Sequence, residues 1–480
     1  MTPVAVMARP MGCPGQCVYC PTYAATPRSY TPESPAVLRA RECDYEAKEQ
    51  VRLRLKVLAD MGHPTDKIEL IVMGGTFLAG PVDYQYEFIK ACYDALNGED
   101  SATLEDAKQL NENASHRCVG LCLETRPDWC GPEQVARMLE FGATRVELGV
   151  QTLDDEIYRL VRRGHGVEAV VTATRLLKEH GFKVHYHWMP GLPGSTPEKD
   201  LALSRQLFED PRFRPDGLKL YPTMVVSGTE LEKWFQTGRY QPYDNETMTN
   251  LVAEIKSIVP KYVRISRILR DIPPKFIVGG LKDSLRDVVR ERMKQAGTEC
   301  RCIRCREYGH RLLTPMRNRG EIGEPFLVRM DYEASGGKEV LLSFEDERET
   351  LFGLLRLRVQ PKPIARLEAK TNGPDSIGAI IRELHVYGPE VPLKQQVPQA
   401  RLPELRPACQ SSGGTAGRRD GEQAIQHKGF GRALLAEAER LAREEFQAKQ
   451  MVVLSGVGAK EYYRADFGYR SLGDYMVKSL

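Results

Sequence analysis

The stretch VAVMARPMGCPGQCVYCP, residues 4–21, joins a short apolar run to a segment that carries Cys13, Cys17 and Cys20. The apolar run has the length and composition of a buried β-strand, and the glycines and prolines after it predict a loop. In a long chain without a secretory leader, clustered cysteines more often bind metal than form disulfides. The stretch therefore predicts a metal-binding loop directly after the first strand.

The spacing of these cysteines favours one kind of metal centre. Three thiolates can hold three irons of a [4Fe–4S] cluster and leave the fourth iron open to a small ligand. An open iron in this position, with Tyr19 just before the third cysteine, is typical of radical-SAM enzymes, which bind the methionine end of S-adenosylmethionine (SAM) there. A zinc site that lacks one ligand is the alternative.

The first half of the chain alternates short apolar runs with longer amphipathic stretches. Such alternation predicts parallel strands joined by crossover helices, and six repeats suit a partial or full barrel. The predicted helices lie near 36–61, 84–97, 132–141, 154–162 or 167–181, and 197–208. The predicted strands are VAVMA (4–8), KIELIVMGG (67–75), VGLCLETR (119–126), RVELGVQ (145–151), KVHYHWMP (183–190) and GLKLYPT (217–223).

Composition and charge set limits on the class of protein. The 480 residues suffice for two domains, and 41% apolar with 28% charged residues is typical of a soluble enzyme. The sequence has neither an apolar stretch that could cross a bilayer nor the pattern of a signal peptide, so we expect a cytoplasmic protein. The net charge of +3 says little about nucleic-acid binding, because clusters matter more than the sum.

The pattern changes in the second half of the chain. Residues 261–315 are rich in arginine and include a second cysteine group, whereas β-like runs begin near 324. A Pro-, Gln-, Ser- and Gly-rich stretch at 391–425 predicts a mobile surface loop, and an amphipathic helix and the strand QMVVLSGV follow it. We therefore predict three parts, a barrel at 1–260, a basic connector at 261–315 and a third domain at 316–480.

The chain resembles the Elp3 family, the catalytic subunits of Elongator in their stand-alone bacterial or archaeal form, in CPGQCVYCP, MGGTF, ETRPD, RVELGVQ, RGH, MPGLPG and RPDGLKLYPT. The resemblance continues through RELHVYG, GFG and SGVGAKEYYR and covers nearly the whole chain. It implies an α/β fold, a radical-SAM partial (β/α)6 TIM-like barrel plus a GNAT-type acetyltransferase α+β domain. It also implies an activity, the modification of the wobble uridine of tRNA at C5 with a carboxymethyl group from acetyl-CoA.

Strand-end position and this resemblance together predict roles in the barrel. Parallel barrels place their chemistry at the carboxyl ends of the strands. We expect five residues to shape the SAM pocket, Gly74, Gly75, Glu124, Arg126 and Gln151. Lys219 and Tyr221, at the end of the sixth predicted strand, are expected to face the radical centre. Family members carry a basic region ahead of the cysteine loop, and its absence here predicts weaker tRNA binding.

The loop before the amphipathic helix fits a coenzyme site. Gly429 and Gly431 would let backbone N–H groups approach a pyrophosphate at the positive end of the helix. By resemblance, Tyr463 lies near the thioester sulfur as a general acid, and Lys67 also belongs to the acetyl-CoA site. His385 is either a catalytic base or a core residue. Resemblance implies main-chain contacts to acetyl-CoA from Glu383, Leu384, His385, Val386, Phe430, Gly431 and Arg432.

The second cysteine group has the composition of a structural zinc site. Cys300, Cys302 and Cys305 offer three thiolates, and His310 offers an imidazole that could complete a tetrahedron. A reduced cluster of cysteines without metal is the alternative.

A series of basic residues between 264 and 294 predicts a phosphate-binding face for the anticodon stem-loop of tRNA. The alternative is a solvated helix neutralised by Asp271, Asp283, Asp287 and Glu291. The basic residues are Arg264, Arg267, Arg270, Lys275, Lys282, Arg286, Arg290, Arg292 and Lys294.

Two other functions remain open from the sequence. The first is a lysine acetyltransferase with a merely structural iron–sulfur cluster, and the second is a tRNA-binding scaffold without catalysis. The radical enzyme is favoured, because acetyl transfer needs neither an open-iron loop nor a set of motifs at the barrel mouth.

Overall fold

The computed structural model describes residues 1–281, 285–313, 322–362, 364, 377–388 and 429–480. They form two compact units. The first comprises Met1–Cys302 with Ser455–Asp466, and the second comprises Ile303–Leu454 with Phe467–Leu480. The loop predicted at 391–425 lies outside the described residues. Within the described ranges, every helix is too short or too polar to span a membrane.

The first unit is built on a curled sheet of seven parallel strands. The strand order is β1-β2-β3-β4-β5-β6-β8, which confirms the predicted parallel α/β architecture. Apolar residues that alternate along β2 are fully buried, as Ile68, Leu70 and Val72 show. The strands are β1 (Thr2–Met7), β2 (Lys67–Met73), β3 (Arg117–Thr125), β4 (Arg145–Gln151), β5 (Lys183–Trp188), β6 (Gly217–Leu220) and β8 (Arg264–Ile268). A separate antiparallel pair is formed by β7 (Val225–Val226) and β9 (Ile277–Gly279).

The helices of this unit connect successive strands. The predicted helix 36–61 is two helices, because Asp44 and Tyr45 have left-handed backbones (φ 48° and 62°) that break it. The hydroxyls of Thr103 and Thr196 accept backbone N–H bonds and cap two of the helices. The helices are α1 (Pro35–Glu42), α2 (Ala47–Asp60), α3 (Val82–Asn97), α4 (Leu104–Asn111), α5 (Pro132–Glu140), α6 (Asp155–Leu160), α7 (Val167–Glu179), α8 (Pro197–Glu209), α9 (Glu230–Gln236), α10 (Asn245–Ser257) and α11 (Leu285–Gln295).

The second unit holds a mixed seven-stranded sheet of order β10-β11-β12-β13-β14-β16-β15. All its pairs are antiparallel except β13 with β14, which is consistent with an acetyltransferase-like domain. Its strands are β10 (Phe326–Ala334), β11 (Gly337–Glu345), β12 (Leu351–Gln360), β13 (Gly378–Val386), β14 (Gln450–Val453), β15 (Arg470–Leu472) and β16 (Tyr475–Ser479). Its helices are α12 (Ile303–Arg306), α13 (Tyr308–Leu313) and α14 (Phe430–Glu444), whereas the last helix of the chain, α15 (Lys460–Phe467), lies in the first unit except for its final residue.

The compact units do not follow the predicted boundaries at 260 and 315. Strand β8 pairs in parallel with β6, with Ile265 and Ile268 buried, so residues predicted as a connector extend the first sheet. Helix α11 belongs to the same unit and buries Val289 and Met293. The parallel sheet therefore has a seventh strand after the six that we predicted, and the first unit extends to Cys302.

Candidate functional site

The cysteine loop lies at the carboxyl end of β1 and is held by segments distant in sequence. Val18 exchanges backbone hydrogen bonds with two of them, donating its N–H to Val161 at 3.1 Å and accepting the N–H of Leu231 at 2.8 Å. The Tyr23 hydroxyl donates to the Ser227 carbonyl at 2.6 Å. Val18 itself is buried, so the loop is part of the packed structure.

Each cysteine of the loop has a polar neighbour from a different segment. The Cys13 and Cys20 sulfurs lie 3.6 Å from the Thr76 hydroxyl and 3.5 Å from the Ser29 hydroxyl. The Arg163 guanidinium donates to the Cys17 sulfur at 3.5 Å. Burial has the largest single effect on the pKa of Cys17 and would raise it, but the charge and hydrogen bond of Arg163, together with smaller effects of Tyr19 and Arg126, lower that pKa below its ordinary value. The loop therefore favours a thiolate at Cys17, the form that binds iron.

Arg126 presents an unpaired nitrogen to this loop. Its Nε and Nη2 bind the Asp128 carboxylate at 2.9 and 2.8 Å, and Nη2 also donates to the Arg163 carbonyl at 2.7 Å. Nη1 is buried and has no hydrogen-bond partner among the described residues. A Cβ added at Gly15 would lie only 2.1 Å from Nη1, so the loop passes directly over the guanidinium and needs glycine there.

Two further strand ends have unusual backbones at the same edge of the sheet. Gly74 and Gly75 follow β2 with φ of 132° and 80°, a region that favours glycine. Gln151 ends β4 with φ of 74°, and its buried Oε1 has no hydrogen-bond partner in the described part of the chain. A left-handed backbone at a residue other than glycine, as at Gln151, is uncommon and is found most often at functional sites, so this edge has a feature of a binding site.

These residues fit an iron–sulfur cluster and SAM. The donor set supplies three thiols, and the orphaned atoms of Arg126 and Gln151 supply a cationic donor and a neutral acceptor. Buried polar atoms are almost always hydrogen-bonded in a complete assembly, so both atoms point to a bound polar group. SAM carries a carboxylate and an amino group that match a donor and an acceptor.

A charged cluster lies on the inner side of four adjacent strands. We call Glu124, Glu147, His187 and Lys219 the barrel ring. The Lys219 ammonium binds Glu147 and lies 3.1 Å from Glu124. His187 Nε2 lies 3.0 Å from Glu147 Oε2. The two carboxylates and the imidazole lie close enough together to bind a metal ion. The Lys219 ammonium, however, already balances the negative charge of the carboxylates in the place that a metal ion would take.

Burial and charge act together on this ring. Burial opposes ionisation of Glu147, yet Lys219 and His187 hold its pKa well below the ordinary range. The same pairing with Glu147 raises the pKa of Lys219, against the effect of burial. The ring therefore contains an ammonium and a carboxylate at neutral pH. The sequence predicted Glu124, Lys219 and Tyr221 but missed Glu147 and His187, whose only signal is a polar residue inside an apolar strand.

The loop after β5 is held by a buried carboxylate. Asp200 accepts the Gly191 N–H at 2.7 Å, the Ser195 hydroxyl at 2.6 Å and the Tyr243 hydroxyl at 3.0 Å. The Tyr240 hydroxyl donates to the Gly191 carbonyl at 2.6 Å. Burial raises the pKa of Asp200 to about 6 in spite of these donors.

We expect Asp200 to make stability depend on pH. Because its folded pKa exceeds the unfolded one, its stabilising contribution is full below about pH 4 and is lost as pH rises through about 6. The free energy of unfolding of the native chain, relative to Asp200→Asn, should fall by up to about 3 kcal/mol over this interval. Urea denaturation of both proteins from pH 4 to 7.5 measures this difference in the free energy of unfolding. A difference that does not change with pH would contradict the expectation.

The second cysteine group is also brought together. The sulfurs of Cys300, Cys302 and Cys305 lie within 4.8 Å of one another. His310, predicted as the fourth ligand, is not part of this group among the described residues. It lies in α13, after the short helix that carries Cys305.

Strand β13, which carries the predicted main-chain contacts to acetyl-CoA, pairs with its parallel neighbour over only part of its length. Strand β13 pairs with β14 only over Ala379–Ile381, and the following residues pair with β12 alone. Glu383 binds the buried Arg356 at 2.7 Å, so its side chain is already engaged within the sheet. Gly429 has φ of 90° directly before α14, as a glycine loop at a helix start requires.

Residues 455–466 pack in the first unit, against the amino end of β3. A Cβ at Gly456 would lie 2.2 Å from the Val119 carbonyl oxygen. The Glu112 carboxylate binds Arg464 at 2.9 Å. Tyr463 therefore belongs to the same compact unit as Lys67, which begins β2, and burial raises the pKa of Tyr463 so that it keeps its proton.

Adding a methyl group at Gly456 should disturb this packing. Because the Val119 oxygen is a backbone atom, Gly456→Ala should destabilise the first unit by about 1–3 kcal/mol. Gly120→Ala is the matched control in the same strand contact, since its Cβ would meet its nearest neighbour at an ordinary 3.6 Å. Chemical denaturation measures both, and equal stability of the two variants would contradict the expectation.

The predicted basic face is largely paired with acids or carbonyl groups. Arg267 binds Asp271 at 2.9 Å, and Arg290 binds Asp287 at 3.2 Å. Arg270 donates to the Ser29 carbonyl, and Lys275 binds a glutamate. Lys282 lies outside the described residues. For these individual residues, the ion pairs agree with the alternative given above, a solvated surface neutralised by acidic residues. The tRNA-binding face as a whole stays a prediction.

Comparison with known proteins gives the family. Residues 9–205 match the radical SAM superfamily and residues 215–295 the Radical_SAM C-terminal domain. A tRNA uridine(34) acetyltransferase of Dehalococcoides mccartyi is 60% identical over 100% of this chain and 98% of its own length. The chain belongs to the Elp3 family. Human Elongator complex protein 3 is 40% identical over 99% of this chain and 84% of its own. The solved structure of archaeal Methanocaldococcus infernus Elp3 with an N-terminal deletion is 42% identical, covers 100% of this chain and 99% of that one, and has a TM-score of 0.82.

The second of these matches bears on the extent of the first unit. The match to the Radical_SAM C-terminal domain at 215–295 includes β8, β9 and α11. These three elements lie within residues 261–315, which we had predicted to be a connector because they are rich in arginine.

Proposed function

We propose that the chain modifies the wobble uridine of tRNA, adding a carboxymethyl group at C5 from acetyl-CoA by radical-SAM chemistry. One observation carries the proposal. A loop of three cysteines, with a thiolate favoured at Cys17 and an unpaired Arg126 nitrogen beneath it, lies at the carboxyl edge of a radical-SAM barrel. Relatives at 46% to 60% identity are named tRNA uridine(34) acetyltransferases, which supplies the substrate class.

The barrel residues divide into metal ligands and pocket residues. Cys13, Cys17 and Cys20 would hold the [4Fe–4S] cluster, and Arg163 would keep Cys17 ionised. When bound, the cluster and SAM supply a carbon-centred radical that can abstract hydrogen. The chain itself orients SAM, and Arg126 Nη1 is suited to its carboxylate because a buried guanidinium strengthens a charge-assisted bond. The proposed SAM pocket consists of Gly74, Gly75, Glu124, Arg126 and Gln151, and Lys219 and Tyr221 are proposed to face the radical centre.

Acetyl-CoA would be bound mainly by main-chain groups. Among the described residues, β14 pairs with β13 only as far as Ile381, and the left-handed Gly429 directly precedes α14, whose first N–H groups could bind a phosphate. Tyr463 keeps its proton and suits a general acid for the departing thiolate. The proposed acetyl-CoA residues are Lys67, Glu383, Leu384, His385, Val386, Gly429, Phe430, Gly431, Arg432 and Tyr463.

A structural zinc ion is proposed at the second cysteine group. Three sulfurs within 4.8 Å of one another suit three corners of a tetrahedron. The fourth ligand is then His310 after a side-chain rearrangement, or water.

Product analysis tests the proposed function against acetylation of protein lysines. The chain is reconstituted anaerobically with iron and sulfide and incubated with dithionite, SAM, acetyl-CoA and either tRNA or a lysine-rich peptide. We expect carboxymethyluridine in the tRNA and 5′-deoxyadenosine in solution by mass spectrometry. Acetyl-lysine on the peptide without carboxymethyluridine in the tRNA would overturn the proposal.

A further inference from the structure

The barrel ring contains more charge than the inside of a parallel barrel needs. Such interiors are normally filled by layers of apolar side chains. A buried ion pair seldom stabilises a fold more than apolar side chains of the same volume would. The side chain of Glu147 is 2% exposed, whereas His187 and Lys219 keep 14% and 13% of their surface accessible. Glu124, at 12%, is exposed to a similar degree, so His187 and Lys219 lie at the accessible edge of a polar network together with this carboxylate.

Strand register sets these two groups side by side. His187 and Lys219 are directly paired across β5 and β6, and each is the second-last residue of its strand. Both side chains bind Glu147, which fixes them relative to one another. The Tyr221 ring packs edge-on against the imidazole, with ring centres 5.2 Å apart. The pair is thus rigid and lies near the carboxyl edge of the sheet, where the cysteine loop also lies.

The pair offers one acceptor and one donor. In the tautomer whose Nε2–H donates to Glu147, the other ring nitrogen of His187, Nδ1, is an acceptor. In the described part of the chain, no residue forms a hydrogen bond with that Nδ1. The Lys219 ammonium has three N–H groups, of which Glu124 and Glu147 take two. A ligand that fits both groups must carry a donor next to an acceptor.

We propose that His187 and Lys219 read the Watson–Crick edge of the uracil that is modified, a role that rests on the function proposed above. His187 Nδ1 accepts the uracil N3–H, and Lys219 donates to the neighbouring carbonyl oxygen. Enzymes that act on a base commonly take it out of the stack and read this edge. Cytosine has an acceptor at N3, which would face the Nδ1 lone pair, so the pair selects uracil. Holding this edge leaves C5, on the other side of the ring, free to react.

Methylation of N3 removes the donor that His187 would read, and this gives a direct test. We compare tRNAs with uridine or N3-methyluridine at the wobble position, using the native chain and His187→Phe, which keeps an aromatic ring without the nitrogens. The native chain should lose about tenfold in kcat/KM on N3-methylation, the effect of one hydrogen bond. His187→Phe should be slow on both tRNAs and distinguish them by less than twofold. His187→Gln, which retains an acceptor, should recover part of the discrimination.

Controls separate this inference from the proposed function. His63→Phe makes the same change at an exposed histidine and should behave as the native chain. Formation of 5′-deoxyadenosine by His187→Phe shows that it is folded and uses SAM. If its turnover is undetectable, the ratio of Kd values for the same two tRNAs gives the discrimination. An equal N3-methyl penalty in the native chain and His187→Phe would overturn the inference alone. Absence of carboxymethyluridine from the native chain with ordinary tRNA would overturn the proposed function as well.

Discussion

Cys17→Ala is expected to abolish both 5′-deoxyadenosine and carboxymethyluridine, to below one-thousandth of the native rates. Cys17 is the thiol whose pKa Arg163 lowers, and two thiolates cannot hold a cluster with one open iron. Mass spectrometry of reconstituted protein measures both products. The iron content and the visible absorption of the cluster should fall in parallel.

Cys43→Ala is the matched control for this loss. Cys43 follows α1 and is one of the free cysteines outside both cysteine groups. It should retain both activities and the full iron content. A Cys17→Ala protein that still forms 5′-deoxyadenosine at a native rate would show that the loop does not carry the radical chemistry.

Glu339→Ala is expected to destabilise the second unit by about 3–5 kcal/mol. Glu339 binds Arg358 at 3.0 Å and Arg382 at 2.7 Å, and no more than 1% of these side chains is exposed. Removing the carboxylate leaves two buried guanidinium groups without their shared counter-charge. Chemical denaturation followed by circular dichroism measures the loss, and Glu339→Gln should lose less because it keeps an acceptor.

An exposed glutamate provides the comparison. Glu333 lies on β10 with its side chain accessible, and Glu333→Ala should change the free energy of unfolding by less than about 0.5 kcal/mol. A loss from Glu339→Ala that is no larger than the loss from Glu333→Ala would mean that this network does not stabilise the sheet.

The sequence predicts the role of a residue when the residues next to it in the chain form a pattern that indicates this role. The three-cysteine loop, the Gly74–Gly75 turn and Gln151 all follow apolar strands directly, and the structure places them at one edge of the sheet. The strands themselves were predictable because buried parallel strands are nearly continuous apolar runs. Strand β8 was missed because arginines alternate with its isoleucines, a composition that resembles an exposed segment.

Residues that could not be predicted act through partners distant in sequence. Arg163 reaches Cys17 across 146 residues, and nothing near either residue indicates that contact. His187 and Glu147 acquire their roles only when strands β4 to β6 align. The placement of 455–466 in the first unit likewise depends on glycines that permit a close approach to β3.

Deuterium tracing tests the central claim most directly, namely that the radical-SAM barrel acts on the acetyl group of acetyl-CoA. Reconstituted protein is given SAM, wobble-uridine tRNA and acetyl-CoA with a fully deuterated methyl group, and both products are analysed by mass spectrometry. We predict one deuterium in 5′-deoxyadenosine and two in the carboxymethyl group of the tRNA. Carboxymethyluridine formed together with 5′-deoxyadenosine that contains no deuterium would contradict the account.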